Sequence, residues 1–184
     1  MNKKEIWASI IGDAKWNDGT PETFEKMIKH FDEKFIIIEA NSFDHAVASA
    51  EICSVEFTNC PFFGGLQIPT DEIYKIALEA AKYSLNDNLL HVVIEKETDK
   101  IVTTSVGLSY TGKQYFENAL KEIPFSFDLE MFFDLTAQVE LVEKHEPSSV
   151  YLFLFATLGT KRNMQLGTNI VRVVLKDLSS KGYK

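Results

Sequence analysis

The sequence is poor in the residues that build disulfide scaffolds, metal sites and basic surfaces. Its 184 residues include 2 cysteines and 4 histidines. If Cys53 lies in a helix, Cys60 follows about two turns later, roughly 10 Å away, so we expect no disulfide between them. The histidines are scattered without metal-ligand spacing, so we expect no metal site. With 19 Lys+Arg against 27 Asp+Glu and a pI near 5.0, the chain is not expected to bind nucleic acid.

Long apolar runs, linkers and internal repeats are also missing. The longest strongly apolar run, Val150–Leu158, has nine residues, whereas a membrane-spanning helix needs about 20. The segment before Gly12 lacks the apolar stretch of a secretory signal. We therefore expect no membrane span and a cytoplasmic location. No repeat or Pro/Gly/Ser-rich linker divides the chain, and 45% hydrophobic residues are ample for one core.

Hydrophobic periodicity and helix caps predict a mixture of strands and helices. Thr20-Pro21 opens a short amphipathic helix in an N-terminal extension of residues 1–34. Residues 35–184 predict the following elements: strand 35–40, helix 46–57, a helix from 69, strands 89–95 and 101–110 in a hairpin, helices 111–123 and 129–144, and strand 150–158. This order of elements is typical of a mixed α/β (α+β) domain.

The last part of the chain has the pattern of a buried strand, a polar loop and an amphipathic helix. Val150–Leu158 is apolar on both alternating faces, and apolar residues recur at helical spacing from Leu166 onward. The first turn of a helix has unpaired N–H groups and the positive end of the dipole, which together favour phosphate. Lys161 and Arg162 add positive charge, and Gly167 allows close approach of the backbone. The same pattern also fits an ordinary strand–helix unit without a ligand.

Residues 157–184 resemble the acetyl-CoA signature of the GNAT superfamily of N-acetyltransferases. In that signature a strand leads into R-x-x-G-x-G/A and a long helix, and here the motif stands as Arg162-Asn163-Met164-Gln165-Leu166-Gly167. The upstream order of elements is similar too, and it looks most like the arylalkylamine and dopamine acetyltransferase branch. The resemblance covers residues 35–184. It implies a GNAT-like acyl-CoA N-acyltransferase fold, with a central, mostly antiparallel sheet flanked by helices.

The resemblance also implies a site for acetyl-CoA, which would be the cosubstrate. Backbone amides from Arg162 to Thr168 would surround the pyrophosphate, and the strand edge at residues 155–157 would face the pantetheine arm. The implied cofactor-binding residues are Phe155, Ala156, Thr157, Thr160, Lys161, Arg162, Asn163, Met164, Gln165, Leu166, Gly167 and Thr168.

Two departures from the family pattern bear on cofactor binding. The chain ends at Lys184, directly after the cofactor helix, so we expect a GNAT-like domain that lacks its C-terminal part. Val150–Leu158 would then have an unpaired apolar edge, which favours self-association. In addition, Asn163 and Gln165 stand where the family generally has glycine, so we expect a narrowed loop and a reduced affinity for the cofactor.

The implied site also requires a general base. An amine is mostly protonated near neutral pH and must lose a proton before it attacks a thioester. The resembling branch has a glutamate before a proline after the first helix, but Cys60 precedes Pro61 here. Glu56, one turn earlier, is a candidate base, and its alternative is a solvated helix carboxylate. Cys60 has no histidine nearby in sequence, which favours a structural role over a nucleophilic one.

Aromatic residues could line a pocket for an arylalkylamine, or they could belong to the core. They are Phe57, Phe62, Phe63, Phe125, Phe127, Phe132 and Phe133. The sequence thus predicts an N-acetyltransferase that moves an acetyl group from acetyl-CoA to a small primary amine by direct attack. The alternative is a truncated, catalytically inactive GNAT-like protein that binds CoA or a protein partner.

Overall fold

The computed structural model describes residues 31–131, 133, 146–162, 164 and 166–183, except for the side chains of Phe62 and Phe63. The described residues form one antiparallel sheet with helices on both of its faces. The elements are β1 (Phe35–Glu39), α1 (Phe43–Thr58), α2 (Pro61–Gly65), α3 (Thr70–Asn86), β2 (Leu90–Glu95), β3 (Lys100–Ser109), α4 (Tyr110–Leu120), β4 (Val150–Thr157), a 3₁₀ turn (Gly159–Lys161) and α5 (Leu166–Ser180).

The four strands lie in the order β1-β2-β3-β4, and each pairs antiparallel with its neighbour. Two bulges interrupt the ladders. The β2–β3 register shifts after Val93, and the β3–β4 register shifts between Val106 and Gly107, where Phe153 is the extra residue on β4. A bulge bends its strand and changes which face the following side chains occupy. Residues on both sides of each bulge can therefore contribute to the core.

One face of the sheet is covered by α1, α3 and α4. Helices α1 and α3 pack through small side chains, because both Ala50 of α1 and Ala77 of α3 are buried in one cluster with Ala156 of β4. Small residues at a helix contact permit close packing of the two axes. The start of α1 is capped by the Ser42 side chain, which accepts a hydrogen bond from the His45 N–H at 3.3 Å.

The opposite face is covered mainly by α5, and the helical residues 31–34 join it through Phe31. The buried apolar side chains of α5 recur every four residues, which places them on one stripe of the helix. The stripe consists of Leu166, Ile170, Val174 and Leu178, and it packs on Phe31, Phe35, Leu89, Val93 and Val102. At its C-terminus the Tyr183 N–H donates to the Leu178 carbonyl, and Gly182 takes the positive φ of 82° that this kind of stop requires.

Most predicted elements occur in the structure with small shifts in their bounds. The hairpin of β2 and β3, the helix that begins at Thr70 and the helix that begins at Leu166 are confirmed. The helix predicted after Thr20 and most of the one predicted at residues 129–144 lie outside the described residues. Phe31, which belongs to the predicted extension of residues 1–34, is 5% exposed and lies in the core under α5.

Both cysteines are free thiols, as expected. Cys53 lies on the buried face of α1, and burial raises the pKa of its thiol to about 12. Its thiol therefore stays protonated at neutral pH and is inert. No helix in the described part of the chain combines the length and apolar character that crossing a bilayer requires.

We expect Gly107→Ala to lower the free energy of unfolding by about 1–3 kcal/mol. Gly107 lies at the β3–β4 bulge, and an added Cβ would stand 3.2 Å from Val150 Cγ1, 3.3 Å from the Leu89 carbonyl oxygen and 3.4 Å from Leu89 Cβ. The two Leu89 atoms cannot rotate away. Gly65→Ala is the control, since nothing lies within 4 Å of its Cβ position. Urea unfolding followed by circular dichroism measures both variants, and equal stabilities would show that the strand yields at Gly107.

Candidate functional site

The predicted cofactor loop connects the end of β4 to the first turn of α5. The Leu158 N–H donates to the Val102 carbonyl at 3.0 Å, which extends the β3–β4 pairing to the edge of the loop. The 3₁₀ turn follows at once, with the Lys161 N–H bonded to the Leu158 carbonyl at 2.8 Å. At Arg162 the backbone becomes extended, with φ −62° and ψ 156°. The chain thus reverses within a few residues between the sheet and the helix.

Glu56 near the end of α1 holds this loop with both carboxylate oxygens. Its Oε1 accepts the Gly159 N–H at 2.7 Å, and its Oε2 accepts Arg162 Nη2 at 2.7 Å. The Glu56 side chain is 11% exposed, whereas the Arg162 side chain is 61% exposed. The structure therefore brings the predicted base and the predicted cofactor loop into direct contact. The sequence left two roles open for Glu56, a general base or a solvated carboxylate. Its pairing with the loop is a third role that the sequence did not indicate.

The second cation of the loop also faces a carboxylate. Lys161 Nζ donates to Glu95 Oε1, and Thr98 Oγ1 donates to Glu95 Oε2 at 2.8 Å. The pKa of Glu95 is held below its ordinary value by these hydrogen bonds, of which the one from Lys161 has the largest effect. The charges of Lys161 and Lys34 lower this pKa further. Glu95 ends β2, so the loop is tied to the sheet as well as to α1. Neither Gly159 nor Glu95 was predicted from sequence, since their partners are distant along the chain.

Gly167, in the first turn of α5, lies against the ring of Phe155. A Cβ atom added there would be 3.2 Å from Phe155 Cε1 and 3.5 Å from Cζ. The missing side chain therefore makes room for a ring on β4. That Gly167 also admits a ligand stays a prediction. Phe155 is 39% exposed, so part of its ring remains accessible beside the helix N-terminus.

The other predicted residues of β4 are fixed by the core. Ala156 is 5% exposed and packs against α1 and α3, and Thr157 Oγ1 accepts a hydrogen bond from Thr103 Oγ1 at 3.0 Å. In the described part of the chain, no strand pairs with the outer edge of β4. Leu152 on this strand is 43% exposed. The edge that was predicted to face the pantetheine arm is thus open among the described residues.

The remaining predicted loop residues differ in exposure. Thr160 and Met164 are exposed, Thr168 is half-buried, and Leu166 is buried in the core under α5. Asn163 and Gln165 lie outside the described residues. Because Leu166 is the first residue of α5, its neighbours present the N–H groups that have no partner within the helix. These groups, Lys161 and Arg162 are the parts of the loop that could bind an anion.

The predicted aromatic pocket divides between core and surface. Phe57, Phe125 and Phe133 pack against the core, and the Phe125 and Phe133 rings lie 5.7 Å apart. Phe127 is 76% exposed. Phe132 and the side chains of Phe62 and Phe63 lie outside the described residues.

A second polar cluster lies at the other end of α5. His91, 2% exposed, has Nε2 3.1 Å from Asp177 Oδ2. Glu39 completes a set of three possible metal ligands. Lys181 Nζ, however, already donates to Glu39, to Asp177 at 2.7 Å and to the Asn88 carbonyl at 2.7 Å. Burial opposes the charge of Lys181, but the bonds to both carboxylates outweigh it and raise its pKa. The Lys181 ammonium thus provides the positive charge that pairs with Glu39 and Asp177 in this cluster.

Comparisons with known proteins bear on the fold. No protein-family model matches the chain, and no curated protein sequence matches it. Solved structures that are similar include the C-terminal condensation domain of Ebony in complex with beta-alanyl-dopamine, with a TM-score of 0.65 and 16% identity over 81% of this chain and 72% of that one. An N-acetyltransferase from Staphylococcus aureus Mu50 has a TM-score of 0.49 and 13% identity over 77% and 75% of the two chains. A further acetyltransferase has a TM-score of 0.47 and 15% identity over 80% and 76%.

The predicted fold class is confirmed. The chain has a mixed α/β fold in which an antiparallel sheet is flanked by helices, and the likeness to the Ebony domain extends over most of both chains. The arylalkylamine branch and the missing C-terminal part stay predictions.

Replacing Lys161 by Met should raise the pKa of Glu95, because its hydrogen bond is the largest cause of the lowering. The Glu95 carboxyl then titrates closer to its ordinary value of 4.5. In the unchanged protein, a lowered pKa stabilises the fold above pH 4.5, and this contribution is lost as the pH falls through the lowered pKa. Carboxyl ¹³C shifts measured against pH test the change. Lys176→Met, exposed on α5, is the control, and an unmoved Glu95 titration would contradict the ion pair.

Proposed function

We propose that the chain is an acyl-CoA-dependent N-acyltransferase that moves an acetyl group from acetyl-CoA to a small primary amine. The observation that supports this most is the loop of residues 159–165, which lies between the open edge of β4 and the N-terminus of α5 in a domain of GNAT-like fold. A helix N-terminus and a strand edge with which no described strand pairs stand side by side there. CoA has a pyrophosphate and an extended amide-containing arm, which match these two features.

The pyrophosphate would bind to the first turn of α5. Backbone N–H groups in that turn point at a ligand, and the helix dipole favours negative charge. Arg162 is 61% exposed and uses one nitrogen for Glu56, while a guanidinium has five N–H donors. Lys161 and Thr160 lie in the preceding 3₁₀ turn, within the same loop.

The pantetheine arm would lie along β4. Its amides can form main-chain hydrogen bonds with the open edge at residues 155–157, as an added strand does. The exposed part of the Phe155 ring would contact the arm near α5. The thioester would then follow the strand away from the loop.

The proposed reaction is direct aminolysis. The neutral amine attacks the thioester carbonyl carbon, a C–N bond forms, the C–S bond breaks, and CoA leaves as thiolate that takes up the proton released by the amine. A general base would assist by accepting that proton first and passing it to the departing thiolate. That Glu56 is this base stays a prediction, and both of its oxygens are engaged by the loop.

An arylalkylamine is the acceptor that we propose to test first. The Ebony domain is in complex with beta-alanyl-dopamine, an arylalkylamine that carries an aminoacyl group. This choice also agrees with the branch that the sequence most resembles.

The second candidate is binding without catalysis. It is favoured by Cys60, which stands where the resembling branch has a glutamate, and by the engagement of Glu56 with the loop. In this case the domain would bind CoA or a protein partner, and the open edge of β4 would pair with another copy of the chain. The two candidates share the loop and differ in turnover.

Calorimetric titration with acetyl-CoA and a thiol-release assay with a panel of amines separate the two candidates. We expect saturable binding and release of CoA thiol that depends on both amine and enzyme. Binding without release would favour the second candidate. The absence of binding would contradict both.

Arg162→Glu should weaken acetyl-CoA binding at least tenfold, because a charge-assisted contact is replaced by repulsion. Lys176→Glu makes the same change of charge on the exposed middle of α5, about 15 Å along the helix from its start. We expect its affinity to equal that of the unchanged chain. Equal affinities for the two variants would disprove the loop assignment.

A further inference from the structure

We infer that Glu56 is a positioning residue that orients Arg162 for the CoA pyrophosphate, an inference that rests on the proposed function. Glu56 contacts both ends of the 3₁₀ turn: the N–H of its first residue, Gly159, and the guanidinium of Arg162, which follows its last residue. One carboxylate therefore fixes the conformation of the turn and the direction of the cation. Neither function requires the carboxylate to reach the reacting atoms.

Two short hydrogen bonds to a little-exposed carboxylate allow Glu56 to act as an anchor for the loop. Glu56 is 11% exposed, so its carboxylate has little access to water and depends on the loop for its hydrogen bonds. Both bonds are 2.7 Å long, which is typical of a charged acceptor. The end of α1 that carries Glu56 belongs to a helix packed on α3 and β4. The anchor is thus part of the rigid core rather than of the loop.

The exposed part of Arg162 is free to take a second anion. The contact with Glu56 uses Nη2, and the side chain as a whole is 61% exposed. A guanidinium is planar and its donors are fixed relative to one another. Fixing one nitrogen therefore fixes the direction of the other donors before a ligand arrives. A flexible arginine would lose this side-chain freedom on binding, which weakens affinity.

Two other roles for Glu56 predict different effects of its removal on CoA binding. If its carboxylate competed with phosphate for Arg162, its removal would strengthen CoA binding. If it were the general base, an oxygen would have to be available to the amine, and its removal would lower kcat without changing CoA affinity. The bonds to Gly159 and Arg162 instead direct both oxygens into the loop. The positioning role therefore predicts a loss of CoA affinity.

A double-mutant cycle on the dissociation constant for CoA tests this role. We expect Arg162→Ala to weaken binding about 30-fold, because it removes a charge-assisted contact with CoA, and Glu56→Ala about tenfold, because Arg162 is then no longer oriented. The double variant should bind within about twofold of Arg162→Ala, because Glu56 acts through Arg162. Glu56→Gln keeps one oxygen that can accept from Arg162 but lacks the negative charge, so its affinity should fall between those of the unchanged chain and Glu56→Ala.

Glu51→Ala is the matched control, because Glu51 is an exposed carboxylate on the same helix, and we expect its CoA affinity to be unchanged. Thermal unfolding without CoA defines a temperature at which all variants are folded, and affinities are compared there. A merely structural loss at Glu56 would persist in the Arg162→Ala background.

The outcomes separate this inference from the proposed function. Tighter binding of Glu56→Ala, unchanged binding with lowered kcat, or losses that multiply to about 300-fold would overturn the positioning role while the loop assignment stands. If Arg162→Ala itself binds CoA as the unchanged chain does, the loop assignment fails and the inference fails with it.

Discussion

Burial of the sheet on both faces is the constraint on which the rest of the structure depends. The central strands β2 and β3 are covered by α1 and α3 on one face and by α5 on the other. Because α5 supplies most of the helical cover on its face, the chain must leave β4 and turn back to cover β2 and β3. The reversal of the chain direction between the end of β4 and the start of α5 follows from this need. The proposed anion site is therefore located by core packing, which sets the direction of α5.

Opposite charges balance each other around the same loop. Arg162 and Lys161 each have a carboxylate partner, on α1 and β2 respectively. If Lys161 and Arg162 had no carboxylate partners, their positive charges would repel each other and would attract any anion in solution. Pairing limits this attraction and leaves selectivity to the fixed N–H groups and to the geometry of the guanidinium. The proposed site would then select an anion by its shape rather than by its negative charge alone.

Local sequence patterns predicted the helices and strands. They could not predict contacts between residues that lie far apart in the sequence. The spacing of Leu166, Ile170 and Val174 indicates α5 because all three contacts lie on one helix. The hairpin of β2 and β3 was likewise predictable, since its loop is short and polar. Glu56 and Arg162 lie 106 residues apart, and nothing in either neighbourhood names the partner. The extra residue at Phe153 was equally hidden, because an apolar run looks the same with or without a bulge.

The lysine at the far end of α5 has a mechanical consequence. Lys181 joins the end of the helix to Glu39 of β1 and to the Asn88 carbonyl before β2. A helix of this length is a stiff rod of about 22 Å, and here its far end is fastened to the sheet. Axial sliding of α5 would break these contacts. Any adjustment around a ligand must therefore occur in the loop between β4 and α5, while the helix itself stays in place.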